Sequence, residues 1–189
     1  MHPLPTLWTT DRLIIRNSGL EETSQLRDIF NANANVGQQG WDPTFTVIDE
    51  QEIERLVQQS DAREEPGHEN FQMQTIYAQE SGQIIGYFHC YHGLAQQPTW
   101  SFISMLVLHP SQQKHGYGRE VMEGVLDQSK TLADRAALGA RVYLKNWPAL
   151  RFWIGLGFKQ IDKMDGDKTH SDATQASLVL VCPLKTPDP

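Results

Sequence analysis

LVLHPSQQKHGYGR, residues Leu106–Arg119, reads as a buried strand that runs out into a glycine loop and opens a helix. The apolar run Met105–Leu108 stops at Pro110, which lacks the N–H that a sheet ladder needs. Gly116 and Gly118 then flank Tyr117. Glycine has no Cβ and tolerates positive φ, so the amides of such a loop can converge on an anion at the helix start, where the dipole also favours negative charge. Lys114, His115 and Arg119 make the loop cationic within a chain whose formal charge is −7. On glycine spacing alone, a bare strand-to-helix connection explains the stretch as well as a phosphate cradle does. The two common nucleotide loops are excluded by counting. GxGxxG begun at Gly116 would need glycine where Val121 stands, and GxxxxGK[ST] does not occur.

Downstream, Val121, Met122, Val125 and Leu126 recur at helical spacing, with Arg119, Glu120, Glu123 and Asp127 on the polar side. Upstream, Arg12–Arg16 predicts a strand, followed by a helix carrying Leu26, Ile29 and Phe30, with Ser18 and Glu21 as its capping box. The polar stretch NANANVGQQGWDPT reads as turns. A second helix starts at Asp49, with Glu52 three residues on, Ile48 and Ile53 as a hydrophobic staple, and Ile53, Leu56 and Val57 as the buried stripe. Residues 61–70, DAREEPGHEN, form a charged loop. Phe71–Gln79 and Gln83–His92 are close enough for an antiparallel hairpin, and Trp100–Leu108 follows the loop LAQQPT as the third strand of a meander. Beyond the long helix come a strand at Ala140–Lys145, a helix at Pro148–Leu156, and strands at Phe158–Lys163 and Ala176–Val181, with KTPDP as a fraying tail. This order predicts an α+β fold, mixed α/β in three layers, and not a doubly wound array.

At 189 residues and 39% hydrophobic content the chain suits a single domain over 1–189, its core at roughly residues 10–183. The acidic balance argues against nucleic-acid and anionic-membrane partners and favours an amine-bearing one. Cys90 and Cys182 form no CxxC pair, so neither a disulfide framework nor a cysteine zinc site is expected. The start MHPLPTLWTT has no basic segment followed by an apolar core, and the expected location is cytoplasmic.

A second element sharpens the glycine loop. Gln113, Gly116 and Gly118 fit [QR]xxGx[GA] after a strand, and Asn146, Ala149, Phe152, Trp153, Gly157 and Phe158 fit a strand followed by NxxAxx, an aromatic pair and Gly-Phe. Both, in this order, resemble the GNAT superfamily of acyl-CoA-dependent N-acyltransferases, over roughly Thr10 to Pro183. The resemblance implies a mostly antiparallel central sheet flanked by helices. It implies acetyl-CoA as cosubstrate with no metal, its pyrophosphate on Gln113, Lys114, His115, Gly116, Tyr117, Gly118 and Arg119. The pantetheine arm would pair with the main chain of Leu106 and Leu108, and the Leu106 N–H would polarise the acetyl carbonyl. Asn146 would reach the arm with its side-chain amide, Ala149 would leave room, and Phe152 would pack beside it. The acceptor would be an amine on a small molecule or a protein, and an edge strand near the C-terminal end allows a homodimer.

The sequence departs from the family at the proton-transfer positions. Family members that protonate the leaving thiolate with tyrosine carry it where Trp153 stands, and an indole N–H has no useful acidity. Base positions on the strand fall on Phe102, which is inert, and Ser104, which offers a water relay or is an ordinary strand residue. His89 is a further candidate base, or a histidine satisfied in the core. With Cys90 and His92 it makes a cluster, but His89 and His92 would point to opposite faces of a strand, which disfavours a metal. His170, Ser171 and Asp172 fall in the loop before the last strand. The expected activity is direct acetyl transfer in a ternary complex. The alternative is an acyl-CoA-binding module that keeps the fold and the cofactor site with little or no catalysis.

Overall fold

The protein is described from a computed structural model over residues 1–64, 70–169 and 171–184. Eight strands form one sheet: β1 Leu7–Thr9, β2 Leu13–Asn17, β3 Phe71–Ala78, β4 Ile84–Leu94, β5 Gln97–Leu108, β6 Ala137–Tyr143, β7 Gln160–Gly166 and β8 Ala176–Pro183. Their order across the sheet is β1-β2-β3-β4-β5-β6-β8-β7, antiparallel throughout except for β5 and β6. Helices α1 Thr23–Asn31, α2 Asn35–Gln38 and α3 Glu50–Asp61 belong to one face, and α4 Tyr117–Lys130 and α5 Trp147–Gly155 to the other. This is the three-layer α+β arrangement that the element order predicts.

Each face has its own apolar core. Val121, Met122, Val125 and Leu126 of α4 and Leu150 and Trp153 of α5 pack with Leu13, Ile15, Phe88, Ile103, Leu138 and Leu180. Leu26 and Ile29 of α1 and Ile53 and Val57 of α3 pack with Phe71, Met73, Tyr87 and Val107. The helix periods therefore face the sheet as read, and the Asp49 cap accepts from the Glu52 N–H at 3.0 Å.

Other expectations are corrected. The capping box ahead of α1 lies one residue later: Glu22 accepts from the Gly19 N–H at 2.8 Å, while Ser18 bonds Thr75 in β3. Glu22 is buried because Arg16 and Thr75 also donate to it, a tertiary demand that local spacing does not carry. LAQQPT is mostly strand, since Leu94 faces Gln97 across a two-residue turn. The core begins before residue 10: Leu4 and Trp8 are buried, with the Trp8 indole N–H donating to Gln74. β6 starts three residues earlier than read, and β7 runs later, to Gly166. Part of the charged loop 61–70, and His170, lie outside the described residues.

Gly86 fixes how closely β4 and β5 approach, because a Cβ there would press into the Val107 carbonyl oxygen and the Leu108 side chain. Gly86→Ala is expected to destabilise the protein by about 1–3 kcal/mol through overpacking, measured as a lowered urea midpoint.

Candidate functional site

β5 and β6 run parallel only from Trp100–Ala137 to Ile103–Ala140 and then part. Phe102 sits in the paired part, against Gly139, whereas Ser104 sits at the fork. β5 carries a bulge there: His89 faces Met105 and Cys90 faces Ile103, leaving Ser104 as the extra residue. A bulge bends its strand and increases its twist, which turns the end of β5 away from β6. Beyond it, the His109 N–H donates to Ile85 of β4, so by alternation the N–H and C=O of Leu106 and Leu108 face away from β4 and into the gap.

A cavity of about 470 Å3 opens through this gap. Ala149, Phe152 and Trp153 line it from the α5 face, and Phe30, Val36 and Phe45 from the face of α1 and α2. The fork is thus a passage across the sheet, with Leu106 and Ser104 on its wall.

The glycine loop lies at the end of β5. Gly116 has φ 86°, which glycine accepts freely, and Lys114 has φ 64°, which costs a lysine strain. The first helical bond of α4 runs from the Glu120 N–H to the Gly116 carbonyl, so the amides of Tyr117, Gly118 and Arg119 precede the ladder, and no side chain caps them. Uncapped amides at a helix start are the donors that an anion takes up. Arg12 braces the loop from β2's approach: it donates to the His115 carbonyl, stacks over the Tyr117 ring at 4.5 Å and pairs with Glu120. The Gly118 hydrogen points at Leu106, Leu108 and Phe152, so a larger side chain there would grow into the cavity wall.

Two side chains act differently from their expected roles. Gln113 does not reach outward; its Nε2 donates to the Leu108 carbonyl at 3.0 Å and to Asn33 Oδ1 at 2.7 Å, and Asn33 Nδ2 also donates to the Leu108 carbonyl. Two donors occupy that carbonyl, so only the Leu108 N–H is left for a ligand. Asn33, buried at the end of α1, was not legible in the sequence because it falls in a run of turn-prone residues. Asn146 caps α5, its Oδ1 accepting from the Ala149 N–H at 3.1 Å, and it lines the cavity. Trp153 packs edge-on against Phe152 and Phe158.

His89 and Ser104, singled out separately in the sequence, meet across the bulge, His89 Nδ1 lying 2.6 Å from Ser104 Oγ. Burial among Phe71 and Tyr87 lowers the His89 pKa to about 4, so the ring is neutral at physiological pH. His92 is elsewhere. Its Nδ1 accepts from Arg135, its Nε2 faces Gln72 Oε1, and burial together with the Arg135 charge lowers its pKa to about 3. A ring held by a guanidinium is not disposed toward a cation, and among the described residues no three His, Cys, Asp or Glu side chains gather as metal ligands.

The comparisons with known proteins agree with this geometry. Residues 38–158 match the model of the acetyltransferase (GNAT) family, and the chain belongs to that family. It is therefore an acetyltransferase by family. Among solved structures it is similar to the Salmonella typhimurium acetyl transferase that modifies the N-terminal serine of ribosomal protein L7/L12 (12% identity, 95% of this chain and 98% of that one, TM-score 0.72). It is also similar to the Vibrio cholerae spermidine N-acetyltransferase solved with CoA and spermine (14%, 92% and 96%, 0.69). A third is yncA of Salmonella typhimurium, solved with its cofactor acetyl-CoA (13%, 95% and 98%, 0.69). At these identities the likeness is one of fold. No curated protein matches. Among the described residues no helix is long and apolar enough to cross a membrane.

Both buried histidines have folded pKa values below their ordinary 6.5, so between those values the unfolded chain binds more protons than the folded one. Stability should therefore fall as the pH is lowered from about 6.5, the His89 contribution going by about 4 and that of His92 by about 3. Urea midpoints measured across this range should show the decline, with a shallower slope in His89→Gln.

Proposed function

We propose that this chain moves an acetyl group from acetyl-CoA to a primary amine by direct attack in a ternary complex. The observation that carries the reading is the fork between β5 and β6, which turns the Leu106 N–H into a cavity whose wall residues Leu106, Leu108 and Phe152 abut Gly118 at the uncapped start of α4. The pyrophosphate would lie on the amides from Gln113 to Arg119, with Lys114, His115 and Arg119 adding positive charge. The arm would run past Leu106 and the Leu108 N–H, beside Asn146 Nδ2, Ala149 and Phe152.

The Leu106 N–H would donate to the acetyl carbonyl. That oxygen gains charge as the amine attacks, so a fixed donor stabilises the transition state more than the ground state. The new N–C bond forms, the thioester C–S bond breaks, and the nitrogen gives up a proton. Ser104 is a hydroxyl on the cavity wall at the fork, and we assign it to the path of that proton toward solvent. His89, with a pKa near 4, is too weak a base to hold the proton and serves as a positioning residue that fixes Ser104. Trp153 supplies no acid to the departing thiolate, which is a tolerable leaving group near neutral pH.

A homodimer through the free edge at β7 belongs to the same proposal. Ile161 and Met164 are exposed there, and Ile161 faces Leu180 and Met164 faces Leu178, so both lie on the face covered by α5. Light scattering should give twice the chain mass, reduced to one chain in Ile161→Lys/Met164→Lys.

Thiol release from acetyl-CoA across a panel of primary amines tests the reaction. Amine-dependent release is expected; tight acetyl-CoA binding with no release under any condition would establish the binding-module alternative instead. Gly118→Val should raise the acetyl-CoA dissociation constant at least about tenfold with an unchanged circular dichroism spectrum. An unchanged constant would remove the site from this loop.

A further inference from the structure

The cavity's second mouth, on the face of α1 and α2, has a composition of its own. Phe30 of α1 and Phe45 stack at 5.1 Å with 10° between their planes, and Val36 and Met105 continue the apolar wall. Gly37 admits Phe45, since a Cβ there would stand 3.2 Å from the Phe45 side chain. The segment beyond α2 is held over the sheet by the Trp41 N–H on the Val36 carbonyl. Asp42 tightens it, its Oδ1 accepting from the Thr44 N–H at 2.9 Å and from Thr44 Oγ1 at 2.7 Å. Two charged side chains line the cavity, and they differ. Arg141 is already paired with Asp165 at 3.2 Å. Asp42 has no cationic partner among the described residues, and its Oδ2 is unused.

We propose that the acceptor is an amine with a single positive charge and an apolar body about the size of a benzene ring, received by Asp42 and the Phe30–Phe45 wall. This rests on the transferase reading above and names its substrate class. A lone carboxylate beside phenyl rings matches one ammonium group and one apolar group. A polyamine would have to leave further ammonium groups against Phe30, Val36, Phe45 and Met105, where they lose hydration without gaining a counter-charge. The ammonium received by Asp42 is also the nitrogen that attacks, so it gives up its proton along the Ser104 path before the N–C bond forms, and the part Asp42 plays in binding is read in KM.

The discriminating variant is Asp42→Asn, which keeps the Oδ1 acceptor for Thr44 and removes only the charge. Phenethylamine, spermidine and aniline serve as probes, aniline being an aromatic amine that is uncharged at neutral pH. The wild type is expected to favour phenethylamine over spermidine in kcat/KM. Asp42→Asn should raise KM for phenethylamine by about tenfold, with the KM for acetyl-CoA and the kinetics with aniline unchanged. Preference for spermidine, or an equal effect on phenethylamine and aniline, would overturn the assignment. Binding of phenethylamine to the CoA-loaded protein, followed by saturation-transfer NMR, separates this from the reaction itself. Binding that weakens in Asp42→Asn without any thiol release would leave the acceptor site standing and sink acetyl transfer. Acetylation of other amines with no Asp42-dependent binding of phenethylamine would do the reverse.

Discussion

Everything in the site depends on a sheet that stops pairing with itself. In a continuous ladder the main-chain groups of Leu106 and Leu108 would be bonded to β6 and chemically silent. Because pairing ends at Ile103–Ala140, they face a cavity instead. Buried backbone groups without partners cost free energy, so a fork in a sheet needs support from around it. The Ser104 bulge bends β5, with Ser104 also donating to the His89 carbonyl, and Asn33 and Gln113 satisfy the Leu108 carbonyl from outside. What remains for a ligand is a small set of donors, the Leu106 and Leu108 amides and the start of α4.

The same fork joins the two faces of the molecule. The α4 and α5 face supplies uncapped amides at a helix start and the side chains of Ala149, Phe152 and Trp153, while the α1 and α2 face supplies an aromatic wall with, among the described residues, one carboxylate. Asn33 bonds to both Gln113 in the glycine loop and the Ile29 carbonyl in α1, so the two sides share a rigid connection. The acidic balance of the chain is not concentrated in the donor half, where Lys114, His115 and Arg119 face outward. Asp42, at the other mouth, is partly enclosed and so is screened less than charges on the open surface.

Local chemistry made much of this legible. Pro110, Gly116 and Gly118 mark the end of a strand and the start of a helix because each restricts or frees backbone torsions whatever surrounds it. The stripes of α1, α3 and α4 follow from helical periodicity. His89 and Ser104 were both visible as residue types, but their contact depends on a one-residue bulge between strands, which alternation cannot foretell. Asn33 and Asp42 sit in a polar, turn-prone run whose composition is that of an ordinary loop; the bonds of Asn33 to Leu108 and Gln113 and the stacking of Phe45 on Phe30 place that run against the cavity. Leu4 and Trp8 are buried, yet a three-residue strand at Leu7–Thr9 and the irregular segment before it carry too little pattern to mark them.

The sequence by itself determined the order of elements, the anion-ready loop and the family, since these rest on torsional preferences and on spacings within short segments. Tertiary structure alone decided where β5 leaves β6, which carbonyl is already taken, and which side chains meet around the cavity. Those outcomes depend on register between strands and on packing between residues far apart in the chain, where a shift of one residue reverses the face that each side chain presents.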